Sequence, residues 1–139
     1  MRNDRQNLIV ELTFNFSLKI IDFSESLRKV NYHLADQIFR SGTSIGANVR
    51  EAQNAESKKD FIHKLKIAAK EGDEVQYWLE LCSKSSHLPS NKELLSDIES
   101  IIKVLSKIIS TSKNGAKIGQ LSNHQIIKSK QNVRQDWNS

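Results

Sequence analysis

Cysteine and proline are nearly absent from this chain: Cys82 and Pro89 are the only examples among 139 residues. One cysteine excludes an intrachain disulfide, which fits a reducing, cytoplasmic setting. Long apolar runs are missing as well. Nowhere do about 18 apolar residues follow one another, the length a membrane-crossing helix needs. The opening "MRNDRQNLIVELTF" has no apolar core of the kind that marks an export signal. The expectation is a soluble protein, neither exported nor in contact with a membrane. Sustained alternation of apolar and polar residues is absent too, so strands are not expected and the helical period dominates. The length favours a single domain with a core of its own.

Charge of one sign is only mildly in excess, at +5. Residues 1–113 carry 17 basic and 15 acidic side chains, whereas residues 114–139 carry four and one. The basicity therefore concentrates in the last stretch, which has little periodicity and is read as mostly unstructured, with a short helical piece near Ile126. The reading is a bundle over 1–113 and a basic, mostly disordered tail over 114–139. Such a tail is either a solvated end or a contact for nucleic acid.

Four helical segments follow from the spacing of apolar residues. Leu12, Phe16, Ile20, Phe23, Leu27 and Val30 recur every three or four positions and predict a helix over about 7–29. Phe61, Leu65, Ala68, Gly72, Val75, Leu79 and Cys82 form a heptad seam. It opens at "SKKDF", where Ser57 and Asp60 make a capping-box-like pair. Pro89 blocks continuation of that helix. Ser90 with Glu93 repeats the capping pattern, and the face Leu94, Leu95, Ile98, Ile101, Ile102, Leu105, Ile108, Ile109 follows. Gly115 in "KNG" suits a helix stop.

The second segment contains "RSGTSIGANVREAQ", which could be read as a phosphate-cradling loop. A P-loop needs Lys-Ser or Lys-Thr after its second glycine and a strand before its first; Ala47 and Asn48 follow here, and an amphipathic stretch precedes. The seam Leu34, Ile38, Ser41, Ile45, Asn48, Ala52, Ala55 and its neighbour Ala35, Phe39, Gly42, Gly46, Val49 keep their phase across the glycines. A loop has no reason to preserve that phase, so one continuous helix is predicted. Each glycine costs it about 1 kcal/mol. Gly42 and Gly46, four apart on one face, offset this if they let another helix approach closely. Asn48 on the seam is read as a buried amide that fixes register. Short connections make sequential helices antiparallel, hence an all-α, up-down-up-down four-helix bundle.

Residues 40–82, with "SGTSIGAN", "EAQ", "SKKDF" and "YWLEL" in order, together with "FNFSLKI" near the start, resemble the bacterial four-helix-bundle proteins encoded in intervening sequences of 23S ribosomal RNA genes. The resemblance spans about residues 7–113. Gly72 departs from it where alanine is expected, which predicts local loosening of the third helix. The resemblance implies a homopentamer, and kinship with the accessory variability determinant of diversity-generating retroelements, which binds nucleic acid and a reverse transcriptase. It implies no catalytic residue and no cofactor.

The remaining candidates are surface features. Lys59, His63, Lys66 and Lys70 recur at helical spacing opposite the third seam, with Arg50, Lys58 and Lys64 nearby. Glu71, Asp73, Glu74 and Glu80 then crowd the C-terminal half, against the preference of the helix dipole. The basic stripe is a solvated face, a polyanion-binding surface for RNA or DNA, or one half of charge pairing between subunits. Phe14, Leu18 and Ile21 lie roughly opposite the first stripe and suggest a contact within a homo-oligomer. His33, His63, His87 and His124 fit no metal spacing, and the bundle motif Glu-x-x-His is missing. Cys82 reads as a small core residue. Nothing points to an enzyme; the alternatives are a nucleic-acid-binding bundle, one that assists a nucleic-acid-handling protein, and a protein-binding scaffold.

Overall fold

The structure is a computed structural model that describes residues 8–114. It contains α1 (Leu8–Arg28), α2 (Tyr32–Ala52), α3 (Lys58–Lys84) and α4 (Lys92–Lys113). Each helix packs on its sequence neighbour, and α4 closes the ring onto α1. This is the antiparallel four-helix bundle that the short connections require. The tail and Gly115 lie outside the described residues.

Side-chain caps start three of the helices by satisfying an otherwise orphaned N–H. Asn31 accepts from the Leu34 N–H and Ser57 from the Asp60 N–H, each at 3.0 Å. The Asp60 carboxylate answers by accepting from the Glu56 N–H at 3.3 Å, one residue earlier than a reciprocal box would place it. At α4 the cap is Asn91, which accepts from Leu94 N–H at 3.0 Å, and not Ser90. Asn and Ser cap about equally well, so adjacent candidates cannot be ranked by residue type.

The core contains Phe16, Ile20, Leu27, Ile38, Ile45, Leu65, Leu79, Leu94, Ile98, Ile101 and Leu105, all essentially inaccessible. Several expectations need correction. Val30 is 58% exposed because α1 has already ended and the chain is turning. On α2 the core face falls between the two seams, so Ala35 and Val49 are buried while Leu34 and Asn48 are only half-buried. The Asn48 amide donates to Ser44 O of its own helix at 2.9 Å, so it fixes no register between helices. Phe39, placed in the neighbouring seam, is 42% exposed. On α4, Val104 joins the core although the apolar count passed over it.

The Ser-Gly-Thr-Ser run lies within α2. Ser41, Thr43 and Ser44 each donate to the carbonyl four residues back, at 2.6, 2.6 and 2.5 Å, and so return their hydroxyls to their own helix. No glycine among the described residues has positive φ. What Gly42 and Gly46 supply is space. A Cβ on Gly42 would lie 2.8 Å from Ile20 Cγ1, and one on Gly46 would lie 3.2 Å from the Thr13 carbonyl oxygen. Helix α1 answers with small residues: Thr13 donates to Ile9 O at 2.8 Å and Ser17 to Thr13 O at 2.9 Å. Gly72 does not interrupt α3, which runs unbroken past it.

Candidate nucleic-acid interface

Helix α3 is amphipathic, and its polar side holds Lys59, His63, Lys66 and Lys70 on one line of the surface, all exposed. Among the described residues, none of the three lysines has a carboxylate within ion-pair distance. Lys66 has a like-charged neighbour instead. Lys113, on the last turn of α4, stands within hydrogen-bonding reach, and that contact first, then its like charge, holds the Lys66 ammonium below the usual lysine value. Antiparallel packing explains the meeting: the end of α4 runs beside the beginning of α3. Lys113 also edges a hollow of about 320 Å³ with Ser106, Ile109, Ser110 and Asn114.

The other basic candidates part from this stripe. Lys58, in the first turn, is exposed and has no carboxylate partner among the described residues. Lys64 turns toward α2 and pairs with Glu51 at 3.1 Å. Arg50, in the last turn of α2, has its guanidinium 5.6 Å from the centre of the Phe14 ring on α1, within cation–π range. Of the six residues grouped by sequence, Lys59, Lys66 and Lys70 thus form the outward stripe, Lys58 is exposed beside its start, Lys64 belongs to an interhelical clasp, and Arg50 to an apolar face.

That apolar face is broader than the strip on α1. Phe14 and Leu18 are 49% and 50% exposed, and Ile21 is half-buried. Phe39 is also exposed and stands on α2, the helix that packs most extensively on α1, one turn before the Gly42 that meets Ile20. Its lapse from the α2 core was the one signal for it.

Two of the four acids of α3 that oppose the helix dipole, Glu71 and Glu74, have an interhelical partner. Arg40 of α2 donates through Nη1 to Glu71 at 3.2 Å and through Nη2 to Glu74. Glu74 also accepts from the Trp78 indole N–H at 3.2 Å. Arg40 was not foreseen because its partners lie 31 and 34 residues away. Burial pushes the Cys82 thiol up, consistent with a small core side chain. His33 packs on Tyr32 with ring centroids 4.0 Å apart, and His63 and His87 are exposed. Among the described residues no three His, Cys, Asp or Glu side chains gather where a metal could sit, and no helix is long and apolar enough to cross a membrane.

Residues 5–107 match the family described as 23S rRNA-intervening sequence protein. Among solved structures, the chain is similar to a protein of unknown function from the S23 ribosomal protein family of Bacteroides thetaiotaomicron VPI-5482. The two are 38% identical, with a TM-score of 0.70, over 73% of this chain and 98% of that one. No curated protein matches the sequence.

Proposed function

The chain belongs to the family of 23S rRNA-intervening sequence proteins, and on that premise we propose that it is a non-enzymatic, homo-oligomeric four-helix bundle that binds the phosphate backbone of RNA or DNA. In that role it works alone or as an accessory to a nucleic-acid-handling protein in the cytoplasm. The supporting observation is the outward row of Lys59, Lys66 and Lys70, free of carboxylate partners among the described residues and joined by Lys113. Cations held close to one another without counter-charge gain from a polyanion that neutralises several at once and releases its own counterions. Lysines meet phosphates as point charges, so sequence preference is weak. Assembly, into five subunits as the resemblance implies, repeats the row and raises avidity through effective concentration.

The test is binding to RNA and DNA oligonucleotides across salt concentrations. Affinity falls steeply with salt in the parent and vanishes when Lys59, Lys66 and Lys70 are all changed to Glu, with helicity and oligomer mass intact. A triple variant that binds like the parent removes the stripe from consideration. Loss of binding on deleting residues 114–139 alone assigns the contact to the tail.

The face of Phe14, Leu18, Ile21 and Phe39 supports the assembly half of the reading, and equally a protein-binding scaffold without nucleic-acid affinity. Leu18→Lys is expected to reduce the mass seen by light scattering while leaving the bundle folded. A monomeric parent at micromolar concentration rules the homo-oligomer out.

A further inference from the structure

The outward stripe of α3 does not end with its lysines. Tyr77 lies seven residues beyond Lys70, close to two full turns, and so on the same line of the helix. It is 55% exposed, and its hydroxyl has no hydrogen-bond partner among the described residues. Trp78 stands edge-on beside it, ring centroids 5.1 Å apart and planes at 63°. Trp78 is itself tethered by its bond to Glu74, so the Tyr77 ring has a fixed support on one side and solvent on the other. A second flat ring, His63, lies exposed between Lys59 and Lys66. Cations and rings therefore share one face of one helix.

Charge along the stripe separates what each level can hold. Lys59, Lys66, Lys70 and Lys113 attract phosphates. Near Tyr77 the charge changes sign: Glu71 and Glu74 are drawn toward α2 by Arg40, while Asp73 stays exposed one turn before the ring. A carboxylate there disfavours a phosphate and leaves the uncharged face of a base as the group the ring can take.

We infer that α3 takes single-stranded rather than duplex nucleic acid, with phosphates along the lysines and an unpaired base stacked on Tyr77. The inference rests on the nucleic-acid reading above. In a duplex the base faces are covered by their neighbours, and an exposed tyrosine on a helix finds nothing to stack on. In a single strand they are open, and stacking tolerates any sequence because every base has a π-face.

The experiment is fluorescence anisotropy at low salt, with the full chain and a labelled single-stranded RNA of about 12 nucleotides, within the usual site sizes for such proteins. The same RNA annealed to its complement is the comparison. The single strand is expected to bind about 10-fold tighter or more than the duplex. Tyr77→Ala is expected to weaken single-strand binding by roughly 5- to 100-fold, and Tyr77→Phe to restore most of it. The slope of affinity against salt should be the same in both variants as in the parent, because no phosphate contact is lost. Binding by Tyr77→Ala at parental strength, or a duplex bound as tightly as the single strand, overturns the inference and leaves the backbone reading standing. Absence of binding to either RNA overturns both. A change of oligomer mass in Tyr77→Ala makes the residue a subunit contact and overturns the inference as well.

Discussion

Helix α1 meets its two neighbours in opposite ways. Toward α2 it presents Thr13, Ser17 and Ile20 to a glycine pair, and the backbones approach until a single added carbon would collide. Toward α4 its packing is less extensive, and Lys19 reaches across to Glu93 at 2.7 Å and Asp97 at 2.9 Å. The first seam is held by shape and admits one arrangement. The second is bridged by long, half-exposed side chains that adjust. Interiors are close-packed and resist added volume, whereas exposed ion pairs contribute little and are screened by salt. The same helix is therefore rigidly located on one side and loosely on the other.

The largest expected effect comes from filling the close seam. Gly42→Leu places its first carbon 2.8 Å from Ile20, a fully buried side chain with nowhere to move. Destabilisation of about 3 kcal/mol or more, read as a lower urea midpoint, is expected. Gly46→Leu meets the Thr13 backbone but is only half-buried, so part of the side chain escapes to solvent. A loss nearer about 1–2 kcal/mol follows. Equal midpoints for parent and both variants would show that the seam is not tight.

Gly72 sharpens the comparison, because it is a buried glycine on a helix seam of the other kind. An added carbon would lie 3.3 Å from Ile102 Cγ1 and 3.5 Å from Ile98 Cδ1. Both atoms belong to side chains rather than backbone, and Ile102 is half-buried with room to turn. Gly72→Ala therefore gains helix propensity, up to about 1 kcal/mol, and spends part of it on moving Ile102. A net gain of about 0.5 kcal/mol is expected in thermal or urea unfolding. A loss comparable to that of Gly46→Leu would place α3 and α4 in the same close contact as α1 and α2.

These seams were not equally legible in the sequence. The phase of Ile38, Ser41 and Ile45 across the glycines is a local property, and it made the α2 helix readable despite its polar, glycine-rich run. Heptad spacing likewise marked Leu65 to Cys82 as a face that the structure buries. The rotation of α2 was not readable, because two adjacent seams are offset by a single residue and only the neighbouring helices decide between Leu34 and Ala35. The partners of Lys19, Arg40, Lys64 and Lys66 were invisible for a related reason. Charge on a helix surface shows in the sequence, but what faces it depends on another element far along the chain, 74 and 78 residues away for Lys19. The basic stripe was legible as spacing; Lys113 beside it and Tyr77 beyond it emerge only with the bundle assembled.

The smallest effect belongs to the adjustable seam. The ammonium of Lys19 is held above the usual lysine value, first by its hydrogen bond to Asp97 and then by that to Glu93, against the cost of burial. A raised value in the folded state means that folding favours the protonated amine. Its contribution is therefore complete below the unfolded value of about 10.4, and is lost as pH climbs through the higher folded value. The side chain is 44% exposed, so solvent screening keeps the contribution to about 0.2–1 kcal/mol. Lys19→Gln is expected to lower stability by that amount at neutral pH and low salt. Near 1 M salt, where the screening length falls to about 3 Å, the difference from the parent should shrink. As pH climbs past the raised folded value it should vanish, because the parent then has a neutral amine as well. A deficit that persists undiminished in salt and alkali would mean that Lys19 acts through the packing of its stem against α4, and that the two seams of α1 differ less than their chemistry suggests.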